Sequence, residues 1–267
     1  MVDRTIALTG AAGRIGCAIR PYLLPLCSEL RLLDVAATQV QDPRETAVQV
    51  DLADRDALHH ALKGCDAFVH FAGYPREAGW DTLLAANVVG VVNLWEAAHA
   101  AGVRRIVYAS SNHAVGLYPR SQKIDGSAPP LPDSRYGVSK VFMEALAAMY
   151  AIKHGVRGFG LRIGHCSAAP ADARALSHWI HPQDLAQLVE VGLTADYVHE
   201  IVYGASANTR SWWSDERARA LGYQPRHSAD PFIAALQATQ SGDPIAEHFQ
   251  GGSFAAAGFD NERSQFL

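Results

Sequence analysis

Tyr136 and Lys140 stand four residues apart in the run Tyr136-Gly137-Val138-Ser139-Lys140. On a helix that spacing puts both side chains on one face, a turn apart. A free tyrosine ionises at about pH 10, and an adjacent ammonium favours its phenolate. With a second positive charge from an oxidised nicotinamide, Tyr136 is expected to act as a general base near neutral pH. Packing explains many such pairs, so this one carries weight only beside other signals. Ser110-Ser111-Asn112-His113 is the second group. It follows a predicted strand, and ligands of open α/β sheets bind at that edge. The Ser111 hydroxyl is expected to bond the reacting oxygen alongside Tyr136, and His113 to touch the substrate. The competing reading of this run is a turn that bonds its own backbone. Asn87 falls inside a predicted helix, a poor place for asparagine. Either it holds a water or backbone group that relays protons to Lys140, or it lies on the surface.

A nucleotide site is written near the start of the chain. Gly10-x-x-Gly13-x-x-Gly16 follows an apolar run and opens a helical one. Glycines there let the backbone turn sharply and approach a pyrophosphate at the positive end of a helix. Asp34 closes the next apolar run. Its carboxylate suits the two ribose hydroxyls and repels a 2′-phosphate, which favours NAD over NADP. Arg14 is expected on the pyrophosphate or the adenine side. Asp51-Leu52 is placed to meet the adenine, with a plain turn acid as the competing reading of Asp51, and Ala72-Gly73 to let backbone lie close to the cofactor.

These groups need a frame. Apolar strands are expected at 5–9, 30–34, 47–51, 67–71, 105–109 and 157–163, alternating with helices beginning near Arg14 and over 54–63, 80–101 and 133–154. Asp54 is a predicted cap, and Pro21 and Pro25 predict a kink or early stop in the first helix. Continuous apolar strands alternating with helices mean a parallel sheet covered on both faces. Residues 165–180 read as loop, 182–194 as helix and 201–203 as strand. The expected architecture is a Rossmann-type, doubly wound α/β domain over 1–164. A smaller C-terminal lobe over 165–267 would bind substrate, its chain interleaving with the sheet.

Composition excludes several classes. The chain has 267 residues, 49% hydrophobic, with net charge −4. No basic stripe points to nucleic acid. No basic-plus-apolar leader and no unbroken apolar span are visible, so a cytoplasmic protein without a membrane partner is expected. Four spaced cysteines predict buried free thiols. His178, His181 and Asp184 invite a metal, but His181-Pro182 also reads as a helix entry and no fourth ligand is evident; no metal is expected. Trp212-Trp213 is expected to pack the lobe rather than stack on a sugar.

Taken in order and spacing, the glycine turn, Asp51-Leu52, Asn87, Ser110-Ser111 and Tyr136-x-x-x-Lys140 resemble the extended short-chain dehydrogenase/reductase superfamily. Ala109–His113, Arg162-Ile163-Gly164, Arg174 before Leu176-Ser177, Gly204–Asn208 and Phe249–Gly252 resemble, more narrowly, its uronate dehydrogenase family. That resemblance implies oxidation of the anomeric carbon of a cyclic hexuronic acid by NAD, giving an aldarolactone. It implies cofactor contacts from Gly10, Ala12, Gly13, Arg14, Ile15, Asp34, Asp51, Leu52, Phe71, Ala72, Gly73, Asn87, Ala109, Tyr136, Lys140 and Ile163. Catalysis would fall to Tyr136, Lys140 and Ser111. Substrate contacts would come from Pro75, Ser111, Asn112, His113, Tyr136, His165 and Arg174, with Arg174 as a bidentate clamp on the carboxylate. Pro75 and His165 stand where the family pattern has serine. A homo-oligomer is expected. The alternatives are a nucleotide-sugar epimerase or dehydratase of the same superfamily, and a non-catalytic NAD(P)-sensing regulator.

Overall fold

The computed structural model describes residues 3–261. In chain order it contains β1 (Thr5–Thr9), α1 (Arg14–Leu23), β2 (Glu29–Asp34), β3 (Glu45–Gln49), α2 (Arg55–Leu62) and β4 (Ala67–His70). Helix α3 (Trp80–Leu83) runs through a π-helical stretch, Leu84–Val89, into α4 (Gly90–Ala100). Then come β5 (Arg105–Ser111), α5 (Arg135–His154), β6 (Arg157–Ile163), β7 (His165–Cys166), α6 (Ala175–His178), β8 (Trp179–Ile180), α7 (Pro182–Thr194) and β9 (His199–Gly204). Short helices finish the chain: α8 (Glu216–Ala220), α9 (Ile233–Leu236), α10 (Pro244–His248) and α11 (Ser253–Ala256).

Seven parallel strands form one sheet in the order β3-β2-β1-β4-β5-β6-β9. The order reverses between β1 and β4, so a crevice opens at their C-terminal ends. One face packs α1 and α7 against Ile6, Leu8, Leu30, Val69 and Phe159, and the other packs α2, α4 and α5 against Ala7, Phe68, Ile106 and Tyr108. Strands buried on both faces explain their continuous apolar runs. β9 and α7 lie beyond residue 164 in sequence, yet they complete this sheet and its cover.

Several local expectations shift. Ser110 and Ser111 belong to β5 rather than following it. Register with β6 pairs them with Arg162 and Ile163 and carries the ladder two residues further. β3 sits at Glu45–Gln49, because pairing with Leu30–Asp34 sets its register and frees Asp51 to start a turn. Pro21 does not stop α1. Burial of Ile19, Arg20 and Leu23 holds the turn that lacks one N–H, and Pro25 enters a 3-10 turn beyond the helix end. Residues 165–180 are not simply loop: β7 and β8 pair, anchored by the buried Trp179, whose indole donates to the Ser167 carbonyl at 2.9 Å. Asp54 caps α2 as expected, accepting Ala57 N–H at 2.9 Å.

The stretch Trp80–Ala100 is, by length and composition, apolar enough to cross a bilayer, with mean hydropathy 1.2. It is not an unbroken apolar run, since Asp81, Asn87, Asn93 and Glu96 interrupt it. Here it is a core helix, with Leu83, Leu94 and Trp95 packed inward. Cys27, Cys65 and Cys166 are buried free thiols, whereas Cys17 is exposed on α1.

Candidate active site

The turn after β1 is shaped by what its glycines leave out. Gly10 has φ +70°, and a Cβ there would lie 2.6 Å from the Phe71 carbonyl carbon. A Cβ on Gly16 would lie 2.1 Å from the Gly10 oxygen, so only glycine lets α1 pack this close to β1. No side chain caps α1, whose first N–H groups remain available to an anion. The Asp34 carboxylate accepts Ala12 N–H at 3.0 Å and Ala36 N–H at 2.9 Å, which brings it beside the glycine turn. A Cβ on Gly73 would lie 2.9 Å from Asn87 Oδ1. Cradle and carboxylate together fit a dinucleotide with free ribose hydroxyls.

A cleft of about 210 Å³ opens beside this turn. It brings together Arg14, Ile15, Phe71, Ala72, Gly73, Pro75, Ala109, Ser111, Asn112, His113, Tyr136, Lys140 and Ile163. Gly10, Ala12, Gly13 and Asp34 flank it on the β1 turn. Asp51, Leu52 and Asn87 do not line it. Asp51 is exposed and accepts Ala53 N–H, while Leu52 packs beneath Gly90. Asn87 is buried rather than on the surface. It clamps Tyr74 through both backbone groups, at 2.8 and 3.0 Å, and donates to Ser139 Oγ at 3.1 Å. Of the two readings, it holds a backbone group, that of Tyr74, and does not lie on the surface. Its role is to hold the Gly73-Tyr74 backbone against the π-helical stretch.

Tyr136 and Lys140 sit on α5, which Ser134 starts by accepting Gly137 N–H at 3.0 Å. The buried Tyr136 hydroxyl bonds Ser111. Lys140 lies 5.5 Å from the Tyr136 ring centre and donates to the Ala109 carbonyl at 2.9 Å. Burial pushes the Tyr136 phenol up to about 12, opposed by the Ser111 bond, and pulls Lys140 down to about 8. The adjacent amine therefore does not by itself produce a phenolate at neutral pH. Lys140 lies over the ring and spends a proton on the Ala109 carbonyl, and both groups have lost water. The sign is clear: burial favours the neutral phenol, so without cofactor Tyr136 stays protonated well above the ordinary tyrosine pKa of 10.0. Ultraviolet difference titration of wild type against Tyr136→Phe, without cofactor, should show no tyrosinate from this residue below pH 10.0. A wild-type-specific tyrosinate below that pH contradicts this electrostatic picture.

Arg174 does not itself line the cleft and reaches it through Asn112. Of its five N–H donors, two meet the Gln250 carbonyl (Nε at 3.1 Å, Nη2 at 2.6 Å) and one meets His178 Nε2 at 2.8 Å. Another meets the Asn112 amide oxygen at 3.1 Å, while the Asn112 nitrogen donates to the Ile163 carbonyl at 3.1 Å, in the amide orientation assigned from these partners. Every partner is neutral. Burial lowers the guanidinium to about 10, and among the described residues no carboxylate is in ion-pair contact with it. One Arg174 N–H has no partner among the described residues, and a second is released where Asn112 yields. His178, weighed earlier as a metal ligand, is instead a buried acceptor, because its Nδ1 faces the Arg174 carbonyl at 2.9 Å. His165 lies with its ring 6.3 Å from that of His178 and does not line the cleft. Burial and the charges of Arg14 and Arg174 lower its pKa.

The sequence reading missed Asp133 and Phe254. His113 Nδ1 bonds Asp133 Oδ2 at 2.7 Å, and the ring stacks on Phe254 at 4.0 Å. An acidic residue just before the Ser134 cap was the available signal for the first. Nothing local marked Phe254, which reaches the site through the chain's last helix. Trp213 stacks on Tyr203 and donates to the Gln250 side chain at 2.8 Å, so it packs the lobe as expected.

The profile of the NAD dependent epimerase/dehydratase family matches residues 6–214. A uronate dehydrogenase of Pseudomonas putida is 40% identical over 257 residues, covering 95% of this chain and 96% of that protein. The crystal structure of a glucuronic acid dehydrogenase from Chromohalobacter salexigens is similar with TM-score 0.91 and 41% identity, covering 96% of this chain and 97% of that one. A variant uronate dehydrogenase from Agrobacterium tumefaciens, solved in complex with NAD, has TM-score 0.90 and 38% identity, covering 96% and 98%.

Proposed function

The chain belongs to the NAD dependent epimerase/dehydratase family, and from that premise we propose that it is an NAD-dependent uronate dehydrogenase. It oxidises C1 of a cyclic hexuronic acid, glucuronate or galacturonate, to the aldarolactone. The observation that carries this reading is Arg174, a half-buried cation with only neutral partners among the described residues, whose Asn112 contact reaches the cleft that holds Tyr136 and Ser111. A cation that has lost much of its water without gaining a counter-ion is costly, and a substrate carboxylate supplies the missing anion through charge-assisted hydrogen bonds.

In this reading the glycine turn and the α1 N-terminus hold the pyrophosphate, with Arg14 and Ile15 at the cleft side. Asp34 takes the adenosine ribose, and Asp51 and Leu52 the adenine side. Phe71, Ala72, Gly73, Ala109 and Ile163 surround the nicotinamide end, with Asn87 fixing the backbone beside it. NAD, when bound, accepts the hydride from C1 and adds positive charge near Tyr136. Tyr136, once that positive charge has favoured loss of its own proton, would as phenolate remove the C1 hydroxyl proton, so the C–H and O–H bonds break as the lactone carbonyl forms. Ser111 bonds the same oxygen and steadies the developing charge. Lys140 holds the nicotinamide ribose and keeps the Ala109 backbone in place. Asn112 and His113 contact ring hydroxyls, Pro75 borders them and His165 stands behind the carboxylate end.

We read the enzyme as cytoplasmic, in keeping with four unpaired cysteines. We also read it as a homo-oligomer. Val138, Met149 and Ile152 support this, since they leave apolar surface along one face of α5. The testing experiment mixes the protein with NAD and glucuronate or galacturonate and follows NADH absorbance. Formation of NADH with lactone is expected; none with either uronate overturns the reading.

A further inference from the structure

Asp133 lies in the loop entering α5 with its side chain fully buried. Its Oδ2 accepts His113 Nδ1–H at 2.7 Å, and its Oδ1 accepts the Ser134 hydroxyl at 2.7 Å. Ser134 caps the helix that carries Tyr136. The Asp133 N–H also donates to the His113 carbonyl at 3.3 Å. Two distant stretches give way to this carboxylate: a Cβ on Gly116 would lie 1.8 Å from Oδ2, and one on Gly251 1.9 Å. The imidazole is held on its other sides as well. Phe254 stacks on it at 4.0 Å with planes 16° apart, and Tyr136 meets it edge-on at 5.9 Å. Only Nε2 is left, on a residue that lines the cleft. Among the described residues Nε2 has no hydrogen-bond partner.

An ionised carboxylate only accepts, so Nδ1 carries the proton, and the neutral form of the ring then presents its lone pair at Nε2. We propose that Asp133 is a positioning residue that fixes this tautomer and makes His113 an acceptor for one hydroxyl of the sugar ring. Because this carboxylate also anchors the Ser134 cap, the acceptor and Tyr136 are set in one rigid frame. The substrate must then carry a hydroxyl donor at the carbon facing His113. The inference rests on the reading above that His113 meets the sugar.

Two measurements test it. Imidazole nitrogen NMR of the labelled wild-type protein should report His113 with its proton on Nδ1; a proton on Nε2 overturns the proposal and requires neither substrate nor mutation. The second compares kcat/KM for a hexuronate and its monodeoxy analogues in wild type and Asp133→Asn. An amide can donate to Nδ1 and move the proton to Nε2. Wild type should lose about tenfold on one analogue, and that loss should vanish in Asp133→Asn, whose activity on the parent sugar drops to the analogue's level. Unchanged NADH binding confirms that the variant is folded. Equal deoxy penalties in the two proteins overturn the proposal. Failure of wild type to oxidise any uronate overturns the functional reading instead, and the NMR result stands apart from it.

Discussion

Tyr136→Phe is expected to lower kcat for uronate oxidation by about 10²–10⁴-fold, the usual worth of a positioned proton acceptor, while NAD affinity stays near wild type. The contrast follows from what phenylalanine keeps. The ring still meets His113 and Phe254 edge-on and still lies under Lys140, so the walls of the cleft persist. What disappears is one oxygen and its bond to Ser111. Steady-state turnover together with NADH binding by fluorescence checks both halves. Undiminished turnover would end Tyr136's role as the base. Loss of NADH binding in parallel would mean that the substitution damaged the cleft rather than the chemistry.

Arg174→Lys should cost about 10²-fold in kcat/KM for a uronate, roughly 3 kcal/mol, chiefly through KM. Lysine keeps the positive charge but not the planar fork. The fork is heavily committed here, since Gln250, His178 and Asn112 orient it. A lysine ammonium reaches fewer of these acceptors and leaves the Gln250 carbonyl and His178 Nε2 under-satisfied. A neutral hexose offers no carboxylate, so any trace activity on glucose should change little. The ratio of uronate to hexose kcat/KM therefore reads the clamp directly. An unchanged ratio would mean that Arg174 is a structural cation and that the carboxylate is held elsewhere.

Much of this site could be read from local spacing. The glycine turn, the strand-end Asp34 and the Tyr136–Lys140 pair depend on neighbours within a turn or a strand of one another, so their one-dimensional pattern carries their geometry. Asn87 was legible as an anomaly, though its partners, Tyr74 and Ser139, were not. The extent of β5 was misjudged because strand length is set by a partner, here β6, which a local window does not contain. The electrostatic reading of Tyr136 was also incomplete. Sequence suggested an ammonium nearby, but how far burial would oppose it is a matter of packing.

The amino-acid order alone determined the alternating strands and helices, the glycine turn and the placing of Tyr136 and Lys140 on one helical face. Each follows from side-chain periodicity, backbone freedom at glycine or a four-residue helical step. Only the folded chain decided which groups would lose their water and who would satisfy them. It left Arg174 among neutral acceptors, put Asp133 behind His113 between two glycines and brought Phe254 across from the last helix. Those outcomes depend on contacts between residues that are 20 and 76 positions apart in the hydrogen bonds of His113 and Arg174. Desolvation and shape complementarity arise from such long-range closure, and no short stretch of sequence encodes them.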